Sequence, residues 1–95
     1  MKRFSSPRPN VFVSADGIIV EVLGLTGLRY SEGPRQMSVD SEIVTGPSAL
    51  ALWNSSIRRW NPPHDGEVVN DADRSRIVAN IREALRSEGF EIDVI

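Results

Sequence analysis

Helical periodicity occurs in one stretch of this 95-residue chain, residues 71 to 87, and that stretch limits the folds open to it. At 100° per residue its apolar side chains share one arc about 120° wide, formed by Ile77, Val78, Ile81, Ala84 and Leu85. Asn70 is suited to cap the first turn, and Gly89 is suited to end the helix. Since strand patterns dominate elsewhere, we expect an α+β fold in which this amphipathic helix packs on one face of a sheet.

The clearest strand is predicted at residues 36 to 45, where two sets of residues alternate. Period-two spacing places one set against the core, namely Met37, Val39, Ser41, Ile43 and Thr45. It places the other set in water, namely Gln36, Ser38, Asp40 and Glu42. Gly46-Pro47 is expected to end this strand.

Shorter strands are predicted on both sides of it, at residues 11 to 14, 18 to 23, 28 to 31, 48 to 53 and 56 to 60. Asp16-Gly17 predicts a hairpin with a type I′ turn, in which both central residues have positive φ. After the helix, Phe90, Ile92 and Val94 alternate with acidic residues and predict a final strand. Short turns between successive strands favour a mostly antiparallel sheet.

The charge of the chain is unevenly distributed. The formal net charge of the chain is −2. Lys2, Arg3 and Arg8 give the first ten residues a charge of +3, so the net charge of residues 11 to 95 is −5. Because proline has no N–H donor, Pro7 and Pro9 predict that residues 1 to 10 form a flexible basic tail outside the sheet. Residues 11 to 95 are expected to form a single domain, whose acidity does not suit a nucleic-acid partner.

Composition excludes several other classes of protein. The chain has no cysteine, so disulfides and thiolate zinc sites are excluded. No apolar run approaches the roughly 18 residues of a membrane span, and the N-terminus does not read as a secretory signal. We therefore expect a cytoplasmic protein without a membrane partner. A domain of this size has a modest core, which favours binding on an outer surface over chemistry in a deep pocket.

Residues 55 to 67 combine rigidity with hydrogen-bonding capacity, since they hold the one histidine of the chain and a double proline, Pro62-Pro63. His64, Asp65 and Glu67 could hold a metal or shuttle a proton. A single histidine falls short of the three protein ligands of most catalytic zinc sites, and no nucleophile motif occurs. We expect no catalytic residue, metal or cofactor, and keep a small metal-dependent hydrolase centred on these three residues as an alternative.

Arg58, Arg59 and Trp60 lie in the same stretch. On the predicted strand Arg58 and Trp60 share one face, while Arg59 points with Ile57. Tryptophan and arginine are enriched at the hot spots of protein interfaces. We expect Trp60, with Pro62 and Pro63, to form a structural corner, and the arginines to be exposed.

Three stretches resemble the bacterial immunity protein 74 family: residues 56 to 65 with their Trp-Asn-Pro-Pro-His element, residues 77 to 85 and residues 89 to 94. The resemblance covers residues 27 to 95. It implies membership of a polymorphic toxin system, in which the protein neutralises a cognate toxin, and it carries over no catalytic residues.

The residues and the resemblance together predict a non-enzymatic module that binds a toxin directly. Arg58, Arg59, His64 and Asp65 are the candidate contact residues. Asp40 and Glu42, on the solvent face of their strand, form a second candidate patch. A structural subunit that dimerises through a sheet edge is a further alternative.

Overall fold

The structure, a computed structural model, describes residues 4–45 and 48–95. In these ranges the chain forms one α-helix, α1 (Asp71–Arg86), and seven strands that form a single sheet. The strands are β1 (Phe4–Arg8), β2 (Val11–Ser14), β3 (Ile18–Val22), β4 (Thr26–Glu32), β5 (Arg35–Ile43), β6 (Leu50–Leu52) and β7 (Ile92–Val94). The expected α+β fold is confirmed.

Strand order in the sheet is the order of the strands along the chain. Strands β1 to β6 are each antiparallel to the next, whereas β7 lies parallel to β6. The crossover between β6 and β7 contains α1, which is the kind of connection that parallel neighbours require. The helix covers one face of the sheet. Residues 53 to 70 connect the end of β6 to the start of this helix.

Both predicted ends of the helix are confirmed. The Asn70 side chain accepts a hydrogen bond from the Asp73 N–H at 2.8 Å, and Asp73 accepts one from the Asn70 N–H at 3.2 Å, which makes a capping box. At the other end Gly89 has φ of 83°, and the Phe90 N–H reaches the Leu85 carbonyl at 3.0 Å. That left-handed conformation favours glycine and closes the helix in a Schellman motif.

The helix packs on alternating residues of the strands. Its buried apolar residues are Ile77, Ile81, Ala84 and Leu85, and those of the central strands include Val20, Leu28, Tyr30, Met37 and Val39. The predicted alternation of β5 is confirmed from Gln36 to Glu42. It is wrong for Ile43, which is 48% exposed, and for Thr45, because the strand ends at Ile43 and runs out from the core. Gly46-Pro47, the predicted end of the strand, lies outside the described residues.

The expectation that the first ten residues stay out of the sheet is wrong for β1, which pairs with β2. Pro7 is tolerated because β1 is an edge strand and because the register shifts between Ser5 and Arg8, which accommodates a residue without an N–H. Residues 1 to 3 lie outside the described residues, and the flexibility of residues 1 to 10 stays a prediction.

The turn between β2 and β3 is also of a different type from the one predicted. The Gly17 N–H donates to the Ser14 carbonyl at 3.2 Å, so Ala15 and Asp16 are the central residues. In this turn Gly17 alone has positive φ, 90°, which excludes type I′. A three-residue connection that ends in a left-handed glycine joins the strands instead.

Candidate partner-binding surface

Residues 53 to 67, which we call the edge segment, continue along β5 after β6 ends. The Trp53 N–H donates to the Asp40 carbonyl at 3.0 Å, and the Asn61 N–H donates to the Gln36 carbonyl at 2.7 Å. The segment thus covers the part of the β5 edge that the short strand β6 leaves unpaired. An uncovered strand edge would be open to pairing with other chains, so this placement has a protective role.

The strand predicted at residues 56 to 60 is wrong. Asn54–Ser56 forms a 3-10 turn, and residues 57 to 60 belong to no strand. The cause is Ser56, whose Oγ accepts from the Asp40 N–H at 2.9 Å and donates to the Trp53 carbonyl at 2.7 Å. A hydroxyl therefore takes the place of a backbone partner, as short polar side chains do where they compete with regular structure.

Burial in the edge segment does not alternate as in a strand. Ile57 is fully buried and Trp60 is 4% exposed, whereas both residues between them, Arg58 and Arg59, are exposed. The prediction that Arg58 shares a face with Trp60 is therefore wrong. Trp60 stacks on Tyr30, with ring centroids 6.3 Å apart and an interplanar angle of 28°. The two buried residues fix the backbone on either side of the arginines.

Arg58, Arg59 and Ser56 line a surface cleft of about 370 Å³. Across the described residues, neither arginine side chain makes an ion pair or a hydrogen bond. Most other arginines in the same ranges do have partners: Arg29 pairs with Glu21, Arg35 with Glu67, Arg74 with Asp71, Arg76 with Glu32 and Asp73, and Arg86 with Glu91. The cleft therefore presents two free guanidinium groups.

The structure brings one residue of the second predicted patch to this cleft. Asp40 is exposed, and its backbone bonds to both Trp53 and Ser56, so it lies beside the edge segment. Glu42 is exposed on the same face of β5, two residues farther along and opposite Ala51 of β6. Asp40 thus connects the second predicted patch to the cleft through Ser56.

The second half of the edge segment forms tight turns. The His64 N–H donates to the Asn61 carbonyl at 3.0 Å, and the Glu67 N–H donates to the His64 carbonyl at 3.1 Å. Pro62 and Pro63 are exposed and joined by a cis peptide bond; His64 is half-buried, and Asp65 is exposed.

The three residues of the metal alternative are not gathered at one point. Glu67 Oε1 lies 2.8 Å from Arg35 Nε, so its carboxylate is already paired. In residues 4–45 and 48–95, no group of three histidine, aspartate or glutamate side chains is placed to hold a metal ion.

A partly buried polar network around Tyr30, which stacks on Trp60, is absent from the sequence predictions. Tyr30 is fully buried; its hydroxyl donates to Glu32 Oε2 at 2.6 Å and accepts from Asn80 Nδ2 at 2.8 Å. Arg76 closes the network with hydrogen bonds of 3.0 and 3.1 Å to the Glu32 carboxylate. Burial, followed by the hydrogen bond to Glu32, raises the pKa of Tyr30 above its ordinary value.

Helical spacing could have revealed this network. Asn80 lies three residues after Ile77 and four before Ala84, so it shares the buried face of α1, and it is only 5% exposed. A polar residue on that face requires a buried partner. The network ties α1 to β4 through Tyr30, the residue whose ring stacks on Trp60.

A second surface that the sequence did not reveal is an apolar groove of about 220 Å³ at the C-terminal end of α1. This apolar groove is lined by Asn10, Phe12, Val22, Ile43, Ala49, Leu50, Leu85 and Phe90. Ile43 and Phe90 are about half exposed, and Leu25, whose carbonyl accepts the Ile43 N–H at 3.0 Å, is 78% exposed.

Comparison with protein families decides which group the chain belongs to. The model of the family described as immunity protein 74 matches residues 19–95, which includes the whole edge segment and α1. The chain belongs to the immunity protein 74 family. The match starts at Ile19, earlier than the predicted start of the resemblance at residue 27, and leaves β1 and β2 outside.

No curated protein and no solved structure matches the chain significantly. Within residues 4–45 and 48–95, no helix has the length and apolar character needed to cross a membrane.

Proposed function

We propose that the protein neutralises a cognate bacterial toxin by binding it directly, in the cytoplasm and without catalysis of its own. The observation that carries this proposal is the match to the immunity protein 74 family over residues 19–95. A protein of this kind needs a stable surface that recognises one partner and needs no active site.

The edge segment, with Asp40 beside it, is our candidate for the toxin-binding surface. It exposes Arg58, Arg59 and Asp65 on a backbone held by buried neighbours, with His64 half-exposed at the turn. A surface whose backbone moves little on binding loses little conformational entropy, and arginine is enriched at interface hot spots. Glu42 extends the proposed surface along β5.

The other two candidate functions gain no comparable support. A metal-dependent hydrolase would use Glu67, whose carboxylate is paired with Arg35. Dimerisation through a sheet edge would use β1, which is interrupted at Pro7, or β7, which has three residues and carries Asp93. Proline, charge and short length are the features that blunt an exposed edge.

The direct test is titration of the purified protein against the purified toxin domain encoded by the neighbouring reading frame. We expect a stable complex in pulldown and loss of toxin activity that is complete only near equimolar protein. The matched control is a toxin domain from an unrelated toxin system, which should remain active.

Two results would contradict the proposal. Absence of a complex with the neighbouring toxin would remove direct binding. Full inactivation of the toxin by a small fraction of an equivalent would indicate catalysis, and the His64→Ala variant with metal analysis of the purified protein would then test the hydrolase.

A further inference from the structure

The cleft at Arg58 and Arg59 offers hydrogen-bond donors to whatever occupies it. Each guanidinium has five N–H donors and no acceptor, and neither is used within the described part of the chain. The third lining residue, Ser56, already donates to Trp53 and accepts from Asp40 through its hydroxyl. The occupant must therefore supply acceptors, and a negative charge would match the two guanidinium cations.

The two arginines are presented on a fixed backbone. Ile57 and Trp60 are buried on either side of them, and Arg74 Nε donates to the Ile57 carbonyl at 3.0 Å, which ties the segment to α1. The Arg58 N–H also donates to the Ser56 carbonyl at 3.1 Å. A binding group that is held in place before the partner arrives loses less entropy on binding, so the arrangement suits recognition rather than solvation.

The surroundings of the cleft distinguish between acidic partners. Asp40 is exposed beside Ser56, and residues 11 to 95 carry a net charge of −5. A continuous polyanion such as a nucleic-acid strand would extend past the cleft over the acidic body of the domain. Single carboxylates on a folded protein surface, spaced from other charges, can enter the cleft with less of that repulsion.

We propose that the cleft formed by Ser56, Arg58 and Arg59 binds carboxylate side chains on the surface of the cognate toxin. Arginine and carboxylate match in a planar, bidentate geometry that lysine does not reproduce. This inference rests on the proposed function, because it takes the partner to be a toxin. It adds the chemistry of recognition: individual carboxylates on the toxin surface dock at the arginines.

The test measures the affinity of the toxin domain from the neighbouring reading frame for five proteins by isothermal titration calorimetry at low and high salt. These are the wild type, Arg58→Glu, Arg59→Glu, the double variant Arg58→Lys/Arg59→Lys, and Arg8→Glu. Arg8 is exposed on β1, which three strands separate from β5, and it does not line the cleft, so its variant carries the same charge change outside it. Circular dichroism and urea unfolding check that each variant folds.

We expect Arg58→Glu and Arg59→Glu each to weaken binding by at least about tenfold, and to reduce its dependence on salt. Arg8→Glu should stay within about twofold of the wild type. The lysine variant should lose part of the affinity, since it keeps the charge without the bidentate geometry. Changing an acidic residue of the toxin interface to lysine should restore binding to the glutamate variant that it faces.

The possible failures are distinguishable. If the wild type does not bind the toxin, the proposed function fails and the inference fails with it. If the wild type binds but both glutamate variants bind as tightly as Arg8→Glu, the function stands and the carboxylate site is wrong. A third outcome is that a fluorescent single-stranded DNA or RNA binds the wild type but not the glutamate variants, while those variants still bind the toxin. The cleft would then be a nucleic-acid site.

Discussion

The edge segment and the apolar groove are both exposed, but they are built in opposite ways. In the edge segment the buried residues Ile57 and Trp60 hold the backbone, and the exposed residues Arg58 and Arg59 take no part in packing. In the apolar groove Ile43 and Phe90 are themselves half-buried and half-exposed. Packing and exposure therefore belong to different residues in the first region, and to the same residues in the second.

The strongest test of this separation is Trp60→Ala. We expect the free energy of unfolding to fall by about 3–5 kcal/mol, because a buried indole ring and its stacking on Tyr30 are lost. Urea unfolding followed by circular dichroism measures this. The matched variant is Phe90→Ala in the apolar groove, where a ring that is 46% exposed should cost only about 1 kcal/mol. Equal losses for the two variants would show that Trp60 is not the anchor.

The second prediction concerns the polar network around Tyr30. Tyr30→Phe should lower the free energy of unfolding by about 1–3 kcal/mol, since Asn80 and Glu32 lose a buried hydrogen-bond partner while the ring is kept. The stacked ring remains, so we expect toxin binding through the edge segment to change little once the protein is folded. A large loss of affinity without a loss of stability would mean that the network acts on the arginines directly.

The same residue predicts a loss of stability in alkali. Burial and the hydrogen bond to Glu32 raise the pKa of Tyr30, so the folded protein keeps a proton that the unfolded chain releases above its ordinary pKa of about 10. Below about pH 10 the contribution of Tyr30 is therefore fully present, and it is lost as the pH rises further. In wild type the urea concentration at the unfolding midpoint should fall as the pH rises above about 10, and Tyr30→Phe should remove this contribution to the fall.

The readout is direct, because Tyr30 is the one tyrosine of the chain and there is no cysteine. Tyrosinate absorbance should appear in the folded protein only at a pH well above the value for the chain in urea. Coincident titrations would show that the hydroxyl is accessible in the folded state.

The same contrast explains which parts of the fold the sequence predicted. Helix α1 and the alternation in β5 depend on local spacing, and the structure confirms both. Ile43 was misassigned because its burial depends on how far the rest of the core extends, which spacing within β5 does not show. The prediction of a strand at residues 56 to 60 was wrong because the Ser56 hydroxyl replaces a backbone hydrogen bond to β5. The pattern of residue types does not show whether a serine will do this.

For the candidate site, sequence singled out the edge segment but not its geometry. The contacts of Asp40 with Trp53 and Ser56 arise because β5 lies beside the segment, and local sequence does not show such a pairing between distant parts of the chain. The apolar groove draws its lining from β2, β3, β5, β6 and the end of α1, so no single stretch predicts it.

The smallest expected effect comes from Leu25→Asp, beside the apolar groove. Leu25 is 78% exposed, so the free energy of unfolding should change by no more than about 0.5 kcal/mol. If the edge segment is the toxin-binding surface, toxin affinity should also stay within about twofold, which titration calorimetry against the same toxin domain measures. The matched variant is Leu25→Ala, which shortens the side chain without adding charge. A loss of affinity in Leu25→Asp that exceeds the loss in Arg59→Glu would place the main contact at the groove, because exposed apolar patches and arginine clefts are both common recognition surfaces.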